Sequence, residues 1–170
     1  MKLISLAIAA LAAASAYAAG DSSAIMATAD LKGTAGISAH FEFSETDAGV
    51  SVTVSAKGLA PRQQYPYHIH QKLVPANGDC TATGGHLDPD RINVSGKPYK
   101  CDPMSAAETC ELGDLSGIHG NMTASNSGTF AAQYEDSLLA FSGTNTILGH
   151  SLVIHSASGV RLVCGNIVAD

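Results

Sequence analysis

Three adjoining stretches decide the fold class: Ala39-His40-Phe41-Glu42-Phe43-Ser44, then Glu45-Thr46-Asp47-Ala48-Gly49, then Val50-Ser51-Val52-Thr53-Val54-Ser55. Ala39, Phe41 and Phe43 alternate with His40, Glu42 and Ser44, and Val50, Val52 and Val54 alternate with Ser51, Thr53 and Ser55. Each run therefore has an apolar and a polar face at the two-residue period of a strand. Two such runs joined by a polar, glycine-ended segment predict a β-hairpin turning over residues 45–49. Shorter apolar or alternating runs follow outward at 24–31, 67–70, 129–135, 151–155 and 161–168, and no apolar stripe at helical spacing persists. The expectation is an all-β sandwich or barrel. Between His70 and Gly120 the pattern dissolves into a long stretch rich in Gly, Pro, Asp and Cys. Loops of that length in a small domain are usually functional, so this one is expected to be ordered and to wall a site.

Bulk properties narrow the function. Met1 to Ala18 has a basic Lys2, an apolar run from Leu3 to Ala14 and a small-residue end at Ala16-Tyr17-Ala18, the layout of a secretory signal peptide, which leaves residues 19–170 as one domain. No other segment approaches the roughly 18 apolar residues that span a bilayer, so the chain reads as exported and soluble, with no membrane partner. The formal charge is −6, with 5% aromatic residues and no basic cluster, which argues against nucleic acid and against an anionic membrane surface. Small-molecule partners fit better. Two sequons, Asn93-Val94-Ser95 and Asn121-Met122-Thr123, agree with export and glycosylation. Cys80, Cys101, Cys110 and Cys164 make an even count in an exported chain, so two disulfides are expected, with three pairings possible. A four-thiolate zinc site would show a CxxC pair, and the sequence has none.

The chemistry lies in histidines. His68 and His70 bracket Ile69 in a strand-like run, so the two imidazoles share one face. His86 follows Gly84-Gly85, where small neighbours allow close approach to an ion, and His155 ends the run Leu152-Val153-Ile154. Four nitrogens without an attendant thiolate or carboxylate suit copper, with catalytic zinc as the rival. His40, His119 and His150 read as exposed or hydrogen-bonded, and Tyr65 and Tyr67 as packing.

Several motifs, in one order, resemble the copper/zinc superoxide dismutase family. They are Tyr67-His68-Ile69-His70, Cys80-Thr81-Ala82-Thr83-Gly84-Gly85-His86, Gly113-Asp114-Leu115, Gly120-Asn121-Met122-Thr123-Ala124, Leu148-Gly149-His150-Ser151-Leu152-Val153-Ile154-His155 and Arg161-Leu162-Val163-Cys164-Gly165. The resemblance spans nearly the whole mature chain and implies a Greek-key β-barrel with a disulfide-tied metal loop. It implies that His68, His70, His86 and His155 hold one copper ion, and that Cys80 pairs with Cys164, leaving Cys101 to pair with Cys110. It also implies that Arg161 draws in the superoxide anion beside the metal, and that His86 and Arg161 carry catalysis.

Departures from the family pattern are as telling. No histidine occurs between His86 and Asp114, where the family supplies two more as zinc ligands, and Glu111 stands three residues before Asp114. The segment from His155 to Arg161 is short, so the charged guiding loop of many relatives is absent. The resemblance is therefore to the copper-only, secreted fungal subgroup, and it implies no zinc, an open site, an extracellular or wall-associated location, and a monomer. Metal-bound imidazoles usually give their second nitrogen to a carboxylate or carbonyl, so Glu111 or Asp114 is the expected holder of His86. The implied reaction is dismutation of superoxide to dioxygen and hydrogen peroxide. The alternatives are a non-catalytic copper-binding domain of the same fold and, more distantly, a zinc hydrolase.

Overall fold

The structure is a computed structural model, and it describes residues 25–33, 36–94 and 97–170. The signal peptide expected at residues 1–18 lies outside the described residues. In chain order the strands are β1 (Ile25–Lys32), β2 (Ser38–Thr46), β3 (Gly49–Lys57), β4 (Gln64–Tyr65), β5 (Tyr67–His70), β6 (Met122–Thr123), β7 (Thr129–Asp136), β8 (Ser151–His155), β9 (Arg161–Asn166) and β10 (Val168–Ala169). Two short helices, α1 (Ala106–Thr109) and α2 (Leu115–His119), lie in the long loop.

Alternation along β2 and β3 becomes pairing and burial. His40 faces Ser55, Phe41 faces Val54 and Phe43 faces Val52 across the antiparallel ladder, with Phe41, Phe43, Val52 and Val54 buried. The hairpin turn is tighter than residues 45–49, because Glu45 pairs with Val50 and Thr46 with Gly49, leaving only Asp47 and Ala48 outside the ladder. Gly49 makes this possible at a φ of +133°, where a Cβ would sit 2.3 Å from the Asp136 carbonyl oxygen of β7.

The main sheet runs β5-β8-β9-β1-β2-β3-β7, with β10 also on β1 and every pairing antiparallel. The connections from β3 to β5 and from β7 back to β8 cross between opposite edges of that order, which is the Greek-key arrangement. The sheet curls until its edges meet: Tyr67 Oη of β5 donates to Tyr134 Oη of β7 at 3.2 Å. Inside the curl Phe41, Phe43, Leu31, Ile69, Leu152 and Ile154 are fully buried. Apolar area of that extent, at about 25 cal/mol per Å², supplies the dominant stabilisation of the barrel.

β5 and β8 differ from the hairpin strands in being buried at every position. Tyr67 and Ile69 point into the core, and His68 and His70 point to the opposite face, which the long loop covers. The described residues of that loop are ordered. The loop carries a 3-10 turn at Cys80–Thr83, another at Pro103–Ser105, and α1 and α2, and disulfides join Cys80 to Cys164 and Cys101 to Cys110.

Candidate metal centre

Four imidazoles from three segments converge on one point. β5 supplies His68 and His70, the Gly84-Gly85 approach supplies His86, which also bridges to His70 through the backbone, and the end of β8 supplies His155. One nitrogen from each ring lies within 4.8 Å of the others. Among the described residues this is the one group of three or more His, Cys, Asp or Glu side chains that converges in this way.

The outward nitrogen of each ring is engaged, which fixes the nitrogen that faces inward. His70 Nδ1 donates to the Gly84 carbonyl at 3.1 Å, with Thr83 Oγ1 at 3.2 Å. His155 Nδ1 donates to the Gly159 carbonyl at 3.2 Å, and His86 Nδ1 to Glu111 Oε2 at 2.5 Å. His68 is turned the other way: its Nε2 meets Ser116 Oγ at 3.1 Å and Asp114 Oδ1 at 3.4 Å. Two consequences follow. With their Nδ1 protons donated outward, His70 Nε2 and His155 Nε2 present lone pairs to each other at 3.2 Å, and His68 Nδ1 is buried with no hydrogen-bond partner. Facing lone pairs and an orphaned buried nitrogen are unfavourable unless a cation sits between them. The donor set, four imidazole nitrogens, fits copper.

The protonation states agree with that fit. Burial pushes His70 down to about 3 and His155 down to about 4, and it lowers His68 as well, so these three rings are neutral at neutral pH. The acids behind the rings stay charged. Burial alone would raise Asp114, but hydrogen bonds from His68, from Tyr99 Oη and from the Gly117 N–H outweigh it and bring its carboxyl down to about 2. Glu111 follows the same pattern: burial opposes ionisation, and the bonds from His86 and Asn93 hold it below the usual carboxylate value.

The loop brings these acids into place by close backbone contact. Ile69 N–H donates to the Gly113 carbonyl at 2.9 Å, Leu87 N–H to the Ile69 carbonyl at 2.8 Å and Gly113 N–H to the Leu87 carbonyl at 2.7 Å. Residue 113 is thereby stitched between β5 and the His86 segment. A Cβ there would lie 2.3 Å from the Ile69 oxygen, so only glycine fits, and Glu111 and Asp114 flank it. Asp114 also caps α2 through the Gly117 N–H at 2.8 Å.

The carboxylates therefore divide between two rings, Glu111 behind His86 and Asp114 behind His68, whereas the sequence directs both candidates to His86. His68 and His86 stack with centroids 3.8 Å apart, which is why one loop reaches both. Arg161 of β9 is half-buried and acts as a clasp. Its Nη1 donates to the Cys80 carbonyl at 2.7 Å, the Thr81 carbonyl at 3.1 Å and Thr83 Oγ1 at 2.9 Å, and its Nη2 to the Gly84 carbonyl at 2.5 Å. The Gly84 carbonyl that accepts from Arg161 also accepts from His70, so the guanidinium sits one peptide group from the histidine cluster. Tyr99 and Ser116 have no periodicity or motif to single them out in the sequence, and Thr83 and Asn93, which lie in the Cys80–His86 motif and in a sequon, show their bonds to the site only in the folded loop. His119 turns away from the cluster, bonding Asp136 Oδ2 at 2.8 Å and stacking on Tyr134, while His40 bonds Asp30 on the outer sheet face and His150 bonds the Gln71 carbonyl.

The family model for copper/zinc superoxide dismutase matches residues 31–167. The chain belongs to that family. Its curated relatives include cell surface superoxide dismutase [Cu-Zn] 4 of Candida albicans, 38% identical over 120 residues that make up 69% of this chain and 46% of the relative. Cell surface Cu-only superoxide dismutase 5 of the same organism is 34% identical over 154 residues, 81% of this chain and 63% of the relative. A solved structure of Candida albicans superoxide dismutase 5 with Cu(II) superimposes with a TM-score of 0.72 at 31% identity, covering 86% of this chain and 92% of that one. The chain spans less than two thirds of the length of these curated cell-surface relatives. Within the family, Glu111 and its bond to His86 stand in a segment where this chain has no further histidine.

Proposed function

We propose that the chain is a copper-only superoxide dismutase, taking one copper ion and no zinc, with His68 Nδ1, His70 Nε2, His86 Nε2 and His155 Nε2 as ligands. The inward-facing lone pairs of His70 and His155, beside the orphaned His68 Nδ1, are the observation that carries this reading. The likeness to the Cu-only superoxide dismutase 5 of Candida albicans supports it. Copper bound there would supply one-electron exchange, by which one superoxide gives up an electron and becomes dioxygen and a second takes that electron, with two protons from water, and becomes hydrogen peroxide.

The chain's own groups do the rest. Glu111 keeps the outer proton of His86 on Nδ1 and so keeps Nε2 free as a donor. Asp114 and Ser116 fix His68 in the opposite tautomer. Arg161 commits its Nη1 hydrogens and one Nη2 hydrogen to the loop, leaving Nε–H and one Nη2 hydrogen to attract a small anion. All these residues come from one chain, so activity needs no second copy and the monomer suffices. Residues 1–18 direct export, residues 19–170 form the working domain, and the two disulfides suit an oxidising, extracellular compartment. The cell-surface names of the relatives point to the same location.

Stopped-flow decay of superoxide tests the proposal. The copper-loaded chain accelerates decay and the metal-free chain does not. Copper held without acceleration would favour the copper-binding alternative, and zinc retained at the histidines would favour the hydrolase.

A further inference from the structure

We propose that Tyr99 is a positioning residue of the metal centre, its single hydroxyl bracing together the two acids that hold His68 and His86. The inference rests on the copper reading above and adds a residue that neither the sequence motifs nor the ligand set assigns.

Tyr99 Oη donates to Asp114 Oδ2 at 2.8 Å and accepts from the Glu111 backbone N–H at 3.0 Å. Asp114 Oδ1 faces His68, and Glu111 Oε2 accepts the hydrogen bond from His86 Nδ1–H. One oxygen atom thus lies two steps from each of two stacked rings. The brace matters because Asp114 and Glu111 are 6% and 5% exposed, and Tyr99 is the donor on Asp114 Oδ2 and the acceptor for the Glu111 amide. Without it, a buried carboxylate oxygen and a buried N–H lose their partners together, and each shifts to find another. Asp114 would then turn more of its charge onto His68, and the Glu111 backbone would slacken behind His86.

The placement of Tyr99 is itself secured. Cys101, two residues on, is disulfide-bonded to Cys110, the neighbour of Glu111, so the bridge spans both ends of the brace. No histidine lies between His86 and Asp114, and this stretch of loop is tied by hydrogen bonds and the disulfide. A tyrosine that merely packed would affect stability alone. A brace must also change what the histidines feel.

Full-length Tyr99→Phe separates the two roles, with Tyr134→Phe as the comparison, since the Tyr134 hydroxyl is bonded to Tyr67 and to neither Glu111 nor Asp114. In the metal-free protein, the ring nitrogen NMR shifts of both His68 and His86 move in Tyr99→Phe, while those of His70 and His155 stay. With copper loaded, the Cu(II) electron paramagnetic resonance hyperfine splitting changes and chelator competition shows copper affinity falling about tenfold, the low end of the loss seen when metal-ligand hydrogen bonds are removed. Tyr134→Phe lowers thermal stability with the copper spectrum unchanged. Unmoved His68 and His86 shifts in folded Tyr99→Phe overturn the brace whether or not copper binds. Failure of the parent chain to hold copper overturns the copper reading instead.

Discussion

Replacing Arg161 with lysine keeps the positive charge and removes the planar fork, so it separates attraction of an anion from the clasping of the loop. The guanidinium reaches three carbonyls and the Thr83 hydroxyl at 2.5–3.1 Å, all within the turn that leads to His86. A lysine ammonium is a single donor centre and retains about two of these four contacts. Hydrogen bonds to charged groups contribute about 1.5–3 kcal/mol each when intact, and water near this half-buried side chain moderates the loss, so Arg161→Lys should cost about 2–3 kcal/mol. At the entropy of unfolding typical of this chain length, that lowers the melting temperature by about 5–10 °C. The assay is urea unfolding of the metal-free protein, paired with superoxide decay for the copper form. Arg161→Lys should lose about half the stability that Arg161→Ala loses, with activity falling although charge is kept, because the freed Gly84 carbonyl no longer fixes His70. The reasoning is refuted if lysine restores full activity and stability lies within about 0.5 kcal/mol of the parent, the range of an ordinary surface substitution.

Other consequences can be checked separately. Because His70 and His155 are held near 3 and 4, they stay neutral in the folded metal-free chain while the unfolded chain takes up protons below about 6.5. Stability of that form should therefore fall as pH drops from 6.5 toward 4, by on the order of 4 kcal/mol at pH 4.5, measured by urea unfolding; a flat profile contradicts it. Removing the Cys80–Cys164 bridge, with a sequence separation of 84, should cost more than removing Cys101–Cys110, with a separation of 9. Loop-closure entropy puts the losses at about 4.5 and about 2.5–3 kcal/mol, and thermal unfolding of the paired serine variants ranks them. With a net charge of −6 and a short segment from His155 to Arg161, steering over distance is weak, so the dismutation rate should change less than about threefold between 10 and 200 mM salt. A steep fall with salt would show a focused field.

The hairpin and the histidines were legible for the same reason: each depends on local period. Phe41 and Val52 announce a half-buried strand, and a two-residue spacing puts His68 and His70 on one face whatever surrounds them. β5 and β8 carried a weaker signal, because the loop covers their second face and burial no longer alternates. The division of the acids was not legible. Glu111 and Asp114 are three residues apart and either could reach His86; what separates them is the passage of Gly113 between β5 and Leu87, a contact between distant segments. Arg161 shows the same limit, since its motif marks a cation beside the metal and only the fold reveals the carbonyls that hold it. Tyr99 and Asn93 lie in aperiodic loop, where hydrogen-bond partners are set by the path of the chain.

Native mass spectrometry of the chain offered equimolar copper and zinc tests the central claim most directly. One retained copper and no zinc, with no metal retained when His70 and His155 are both replaced by alanine, is the result the copper-only reading predicts. Two metals per chain, or a single zinc that copper does not displace, would contradict it.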